Sequence, residues 1–315
     1  MNSLNKIAVC SRSFSRNKML RRELSKKYNN VKYNDSGLSL SDGLLVEFLQ
    51  GSSHAIIALE KIDDNILSQL PELKVISKYG VGLDMINMKS MQKYGIRLGW
   101  SEGVNRRSVS ELVISLSIAL LRHIPESNKK ILSGIWEQHI GRQLSGKNFG
   151  IIGCGSVGKD LVELLQPFKC KILVNDIKRY DVFYKKYDLN VVGKNELLLK
   201  SDVVTLHTPL DNSTKNMLSA SMLKLMKPSS VLINIARGGL INEIALKKML
   251  MDGRLAAAAL DVFEIEPPQD KELLNLSNFL ATPHIGGSSQ EAILSMGMAA
   301  INGLEDNKKV DIIHS

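Results

Sequence analysis

The chain has 315 residues, 44% of them hydrophobic and 23% charged, with a formal net charge of +9. That length fits about two domains, and no apolar run approaches the roughly 18 residues that a membrane span requires; the longest, Leu112 to Leu121, is broken by Ser115 and Ser117. Basic residues are scattered among acids with few aromatics to stack bases, which argues against nucleic-acid binding, and the three cysteines suggest neither a disulfide framework nor a metal site.

Although the first thirty residues are rich in Arg and Ser, Ile7-Ala8-Val9-Cys10 reads as a first strand rather than part of a transit peptide. A cytoplasmic protein is the expectation. Strands and helices then alternate to Gly99: Ile7–Cys10, Met19–Lys27, Val31–Tyr33, Leu44–Leu49, Ala55–Leu59, Asn65–Leu70, Val75–Ser77, Met88–Tyr94 and Arg97–Gly99. Alternation of this kind implies a parallel sheet flanked by helices. Residues 1–100 carry 15 Lys+Arg against 9 Asp+Glu, an excess of six that would steer an anionic substrate. Lys78-Tyr79-Gly80-Val81-Gly82 follows a strand, and its two glycines could turn backbone N–H groups toward a carboxylate.

Ser101 to Asn105 reads as a linker, after which Ser108 or Ser110 can cap a long helix running to about Arg122, its end marked by Pro125. Next comes Asn148-Phe149-Gly150-Ile151-Ile152-Gly153-Cys154-Gly155-Ser156-Val157-Gly158, then a helical run and Lys171 to Asp176. This is strand, glycine turn, helix, strand. In such a unit Gly153 permits the tight turn, Gly155 lets a pyrophosphate approach the backbone, and Gly158 lets the helix pack on the strand. The helix start at Ser156 and Val157 faces the diphosphate. Asp176, about 20 residues on, can accept both ribose hydroxyls and repel a 2′-phosphate, which favours NAD over NADP.

Further strands follow at Val203–His207, Val231–Ile235, Ala256–Leu260 and Phe279–Ala281, with helices around Ala220–Met226 and Glu243–Met251 and a last helical pattern from Gln290 to Leu304. Four groups lie at or beyond these strand ends, the edge where open α/β sheets bind ligands. They are His207-Thr208-Pro209, Ala236-Arg237-Gly238-Gly239, Asp261 to Pro268, and Thr282 to Gly287. A guanidinium fork at Arg237 would grip a carboxylate. His284 is a natural proton carrier, and a carboxylate such as Glu266 on one ring nitrogen would orient it and balance its positive charge.

Together with Gly80-Val81-Gly82-Leu83-Asp84, Gly150 to Asp176, Lys227-Pro228 and Asn234-Ile235, these stretches stand in one order from about Ile7 to the end. The chain resembles the D-isomer-specific 2-hydroxyacid dehydrogenase family. The resemblance implies two doubly wound parallel-sheet α/β domains, with a Rossmann NAD-binding domain (101–283) inserted in a flavodoxin-like substrate domain (1–100 plus 284–315) and a cleft between them. It also implies a homodimer joined through the cofactor domains, with the helix from Ser108 in the contact. By the same resemblance Arg237 holds the substrate's carboxylate and carbonyl, His284 exchanges the proton of the C2 oxygen, and Glu266 supports it. Gly153, Gly155, Ser156, Val157, Gly158, Asp176, His207, Thr208, Pro209, Ala236, Asp261 and Gly286 would contact NAD. Lys78, Tyr79, Gly80, Val81 and Gly82 would contact a small 2-oxo or 2-hydroxy acid.

Departures from the family pattern bear on the substrate. Ser101-Glu102 stands where Thr-Pro is common, and Arg106 and Arg107 stand where small residues are common. Phosphoglycerate-specific relatives present an Arg near the end of the third strand, where this chain has Ile56-Ile57-Ala58-Leu59-Glu60. Unphosphorylated acids are therefore expected to be good substrates, with D-3-phosphoglycerate dehydrogenase the same-class alternative, in which Lys61, Lys78, Arg106 or Arg107 replaces that Arg. Another class, an NADH-responsive corepressor-like binding protein, keeps the same residues. Since 31 residues follow His284, no C-terminal regulatory domain is expected.

Overall fold

A computed structural model describes residues 6–310. The chain forms two compact units, one running to Asn105 and resuming at Ser289, the other covering Arg106–Ser288. The first contains β1 (Ile7–Val9), β2 (Val31–Tyr33), β3 (His54–Ile57), β4 (Val75–Lys78) and β5 (Arg97–Gly99), arranged β2-β1-β3-β4-β5. The second contains β6 (Asn148–Ile152), β7 (Lys171–Asn175), β8 (Asn190–Val191), β9 (Val203–Leu206), β10 (Val231–Asn234), β11 (Ala257–Leu260) and β12 (Phe279–Ala281). Their order is β12-β11-β10-β9-β6-β7-β8, the doubly wound order with one strand added. Every pairing within the two sheets is parallel.

Successive side chains of a strand point to opposite faces, and both sheets bury both faces. Ala8, Ala55, Ile57 and Ile76 enter one core while Ile7, Val9 and Ile56 enter another. In the second unit Ile151, Val174, Ile233 and Ala259 face one side, and Ile152, Leu173, Val204, Leu232 and Ala258 the other. Burial on both faces is why these strands read as continuous apolar runs.

The structure moves both unit boundaries about five residues along the chain from the positions 100 and 283 expected from sequence, to Asn105 and Ser288. The second shift matters because it leaves His284 and Gly286 in the second unit, tied there by hydrogen bonds from Ile285 and Gly286 N–H to Asp261. The long helix, Arg106–Leu121, ends within one residue of the expected Arg122, but it starts at Arg106, so Ser108 and Ser110 lie inside it and do not cap it. It stops at His123 in the left-handed region, and Pro125 sits in the first turn of a new helix, Ile124–Leu132. A proline is tolerated there because the N–H it lacks would have no helical partner. Short elements such as Arg12–Arg16 and β8 also escaped the periodicity. No single helix among the described residues is long and apolar enough to cross a membrane.

The closing helix, Gln290–Gly303, packs on the first sheet through backbone-to-backbone contact. A Cβ added at Gly99 would stand 2.1 Å from the Gly303 carbonyl oxygen. Ser77 Oγ donates to Ala300 O at 2.6 Å beside it. Gly99→Ala should therefore cost about 1–3 kcal/mol, whereas Gly43→Ala, in a helix with nothing within 4 Å of the added carbon, should be neutral or stabilising by up to about 1 kcal/mol. Denaturant midpoints of the two variants check the contrast.

Candidate active site

The glycine turn has the geometry that a dinucleotide needs. At the end of β6, Gly153 has φ +96, and a Cβ there would meet the His207 carbonyl oxygen at 2.4 Å. A Cβ at Gly158 would meet the Gly153 carbonyl at 2.3 Å, so the helix Ser156–Leu165 can lie this close to the strand only with glycine. Gly155 differs: a Cβ would find open space, and as N-cap it offers no side chain to the helix N–H groups. An approaching pyrophosphate therefore meets backbone and the positive end of a ten-residue helix. These residues fit NAD.

Asp176 follows β7 and is partly exposed. Its Oδ2 accepts from Cys154 N–H at 2.5 Å and its Oδ1 from Lys178 N–H at 2.7 Å, which ties the strand end to the turn. Burial, with the Asp176 charge adding, pushes the Cys154 thiol up to about 12, so it stays protonated and inert. Nearby Arg179 is paired with Asp181 at 2.8 Å. Across the switch point between β6 and β9, His207 Nε2 lies 3.1 Å from Thr205 Oγ1. The residue as a whole is partly exposed, yet desolvation of the ring lowers its pKa to about 3 and holds it neutral. Thr208 is half-buried and Pro209 exposed beside it.

Two loops on the same edge meet at Gly238. A Cβ there would fall 1.9 Å from the Phe263 carbonyl oxygen, so the Arg237 loop lies against the segment leading to Glu266. Asn234 shapes the Arg237 loop, accepting from Ala236 N–H at 3.1 Å and donating to Arg237 O at 2.8 Å. Arg237 donates from Nη1 to Ala236 O at 2.7 Å. Glu266 accepts from Phe263 N–H at 3.2 Å through Oε1, and its Oε2 lies 3.0 Å from His284 Nδ1. His284 and Glu266 side chains are 51% and 41% exposed, so one edge of the imidazole is open to a reactant.

His284 has φ +55. The carboxylate of Asp261, 1% exposed, holds it there. Asp261 accepts from Thr282 Oγ1 at 2.6 Å, Ile285 N–H at 2.7 Å and Gly286 N–H at 2.8 Å. Asp261 and Gly286, expected from sequence as cofactor contacts, are thus joined to each other and brace the histidine loop. Sequence reasoning missed this brace and the role of Asn234; in each case the signal was an Asx side chain at a strand end before a turn.

In the first unit, Gly80 has φ +114, and Trp100 Nε1 donates to Val81 O at 3.0 Å, fixing the loop. Tyr79 is 7% exposed, while Val81 and Gly82 are half-buried. Lys78 corrects an expectation. The residue, expected to face a substrate, is 6% exposed, and its ammonium donates to the carbonyls of Ala58 at 2.6 Å and Tyr79 at 3.2 Å. A buried cation needs such oxygens, and β4 aims Lys78 inward where they are.

Comparison with known proteins supplies the relationship. Residues 114–286 match the family described as D-isomer specific 2-hydroxyacid dehydrogenase, NAD binding domain. A hydroxypyruvate reductase of Thermotoga maritima is 36% identical over 248 residues, 76% of this chain and 79% of that one. A D-3-phosphoglycerate dehydrogenase of Bacillus subtilis is 35% identical over 238 residues, 75% of this chain but only 45% of that longer protein. Among solved structures, a D-isomer specific 2-hydroxyacid dehydrogenase from Polaromonas aligns with a TM-score of 0.87 at 27% identity, covering 96% of this chain and 95% of that one. The chain belongs to the D-isomer-specific 2-hydroxyacid dehydrogenase family, whose NAD-binding domain is its second unit.

Proposed function

We propose that the protein interconverts a D-2-hydroxy acid and its 2-oxo acid, using NAD. The observation that carries this reading is the linked set Arg237 loop, Glu266 and His284 on the same sheet edge as the glycine turn. When bound, NADH supplies a hydride to C2 of the oxo acid. Arg237 grips the acid's carboxylate with a planar fork and fixes its angle. His284, held through Nδ1 by Glu266, presents Nε2 to the C2 oxygen and passes it a proton as the alkoxide forms; in the reverse direction it takes that proton back.

A homodimer is proposed as well. Ile131, Leu132, Trp136 and Ile140 are 56%, 79%, 84% and 98% exposed, and the helix Ile124–Leu132 buries none of its residues within one chain. So much apolar surface in one stretch favours a protein partner, and a second copy on this face agrees with the family resemblance. Light scattering at twice the monomer mass supports it, and a monomer refutes it. The free thiols of Cys10, Cys154 and Cys170 suit a reducing cytoplasm.

His284→Ala should reduce turnover about 10²–10⁴-fold while NADH binding, read by cofactor fluorescence, persists. Glu266→Gln should give a smaller loss. Both are measured as NADH oxidation with glyoxylate and hydroxypyruvate, and wild-type turnover in the His284 variant would remove that residue from the reaction. With Arg179 engaged by Asp181, the Asp176 carboxylate should set cofactor choice. NADH should exceed NADPH in kcat/KM, and Asp176→Ala should narrow the gap by about 10–100-fold. Equal use of both cofactors by the wild type would show that Lys178 outweighs Asp176.

A further inference from the structure

We infer that Glu243 is a positioning residue for the proposed reaction: from the first turn of the helix Glu243–Met251 its carboxylate holds the main chain of the Glu266 segment, and through it the angle at which Glu266 meets His284. The inference rests on the proposed 2-oxo acid reduction and adds to it a residue that acts through Glu266.

The helix Glu243–Met251 is a fixed part of the second unit. Asn242 caps it, its Oδ1 accepting from Ala245 N–H at 2.8 Å, and Asn242 N–H donates to Leu218 O at 3.1 Å. Leu246, Met249 and Leu250 bury the inner face in the core that Val204, Leu232 and Ala258 also enter. Because the helix starts six positions after Arg237, what it holds is placed relative to the Arg237 loop.

Two of its side chains, one turn apart, reach the segment between β11 and β12. Glu243 Oε1 accepts from Glu264 N–H at 2.8 Å. Lys247 Nζ meets Asp270 at 2.8 Å and Glu272 at 3.0 Å. Ile265-Glu266-Pro267-Pro268-Gln269 is therefore strung between two anchors on one helix. The anchors differ in kind: Lys247 holds the ends of two partly exposed side chains, for which water competes, whereas Glu243 holds main chain two residues before Glu266.

The peptide that Glu243 grips is also gripped on its other edge. Its carbonyl, that of Phe263, is the one on which a Cβ at Gly238 would fall at 1.9 Å. A peptide unit is planar, so with the oxygen against Gly238 and the N–H on Glu243 its orientation is set. Glu266 turns back onto this point, Oε1 accepting from Phe263 N–H at 3.2 Å, which leaves Oε2 3.0 Å from His284 Nδ1. Only that short turn separates Glu243 from the histidine. Burial raises the Glu243 carboxyl above its ordinary range, the Glu264 N–H bond opposing and the charges of Glu264 and Asp270 adding. The geometry uses an oxygen acceptor there, and a glutamine amide supplies one without the charge. An acid in the first turn of a helix also suits the positive end of that helix, and the test separates that service from positioning.

NADH oxidation is measured with glyoxylate, hydroxypyruvate and 3-phosphohydroxypyruvate for wild type, Glu243→Ala, Glu243→Gln, Glu266→Gln and the double variant Glu243→Ala with Glu266→Gln. Cofactor fluorescence reports NADH binding and an intact glycine turn. Glu243→Ala should lower kcat about 10-fold with KM for NADH unchanged, and Glu243→Gln should keep most of the wild-type kcat. In the Glu266→Gln background Glu243→Ala should cost less than it does alone, because the residue acts through Glu266. Should Glu243→Ala not fold, Glu243→Asp, one methylene too short for Glu264 N–H, takes its place with the same expectations. An unchanged kcat with lowered thermal stability, a Glu243→Gln variant as slow as Glu243→Ala, or losses that multiply in full in the double variant overturns this inference alone. No turnover of any of the three acids by the wild type overturns the reduction itself and the inference with it.

Discussion

The Asp261 carboxylate decides where His284 stands. A residue other than glycine in the left-handed region costs roughly 1–2 kcal/mol, and His284 has φ +55. The neighbouring Glu266 pair cannot supply that, because both side chains are about half exposed and exposed ion pairs contribute about 0–1 kcal/mol. Asp261 accepts three hydrogen bonds from the same loop, each a bond to a charged group worth about 1.5–3 kcal/mol. The brace therefore exceeds the strain, and Glu266 is left to set the angle of the ring.

Close backbone approach does the same for the other parts of the edge. Gly153 against His207, Gly158 against Gly153 and Gly238 against Phe263 leave no room for a Cβ. The first and third contacts each bring two strand-end loops together and the second seats the helix Ser156–Leu165 on its turn, so the glycine turn, the Arg237 loop and the Glu266 segment are positioned by main chain. Positions fixed in this way depend little on rotamers, which suits a site whose side chains must meet a reactant at set angles.

Much of this was legible in the sequence because local chemistry and global fold agree. Buried parallel strands such as β9 and β10 must be apolar throughout, and a turn with φ +96 must be glycine, so the central unit could be read residue by residue. What failed depended on contacts distant along the chain. Nothing near Pro125 tells a helix end from a helix start; the left-handed His123 before it does. Lys78 looks like a ligand cation until β3 and β4 pair and bring the Ala58 carbonyl beneath it. His284 follows the last strand closely enough to be assigned to either unit, and only the bonds to Asp261, 23 positions earlier, decide which.

Charge, unlike these contacts, acts over a distance that salt sets. Four of the fifteen cations of residues 1–100 are held by acids, which leaves the excess of six, and the attractive field it makes, unchanged. Arg21 bonds Asp35, Lys26 bonds Glu23, Lys61 bonds Asp63 and Lys93 bonds Asp64. Paired charges cancel beyond a few ångströms, and at physiological salt what remains decays over about 8 Å. Net charge can therefore raise the rate of encounter without choosing among acids. Choice requires an individual cation at a fixed distance from the site where the common 2-oxo acid group is held, and a diffuse surface excess fixes no such distance.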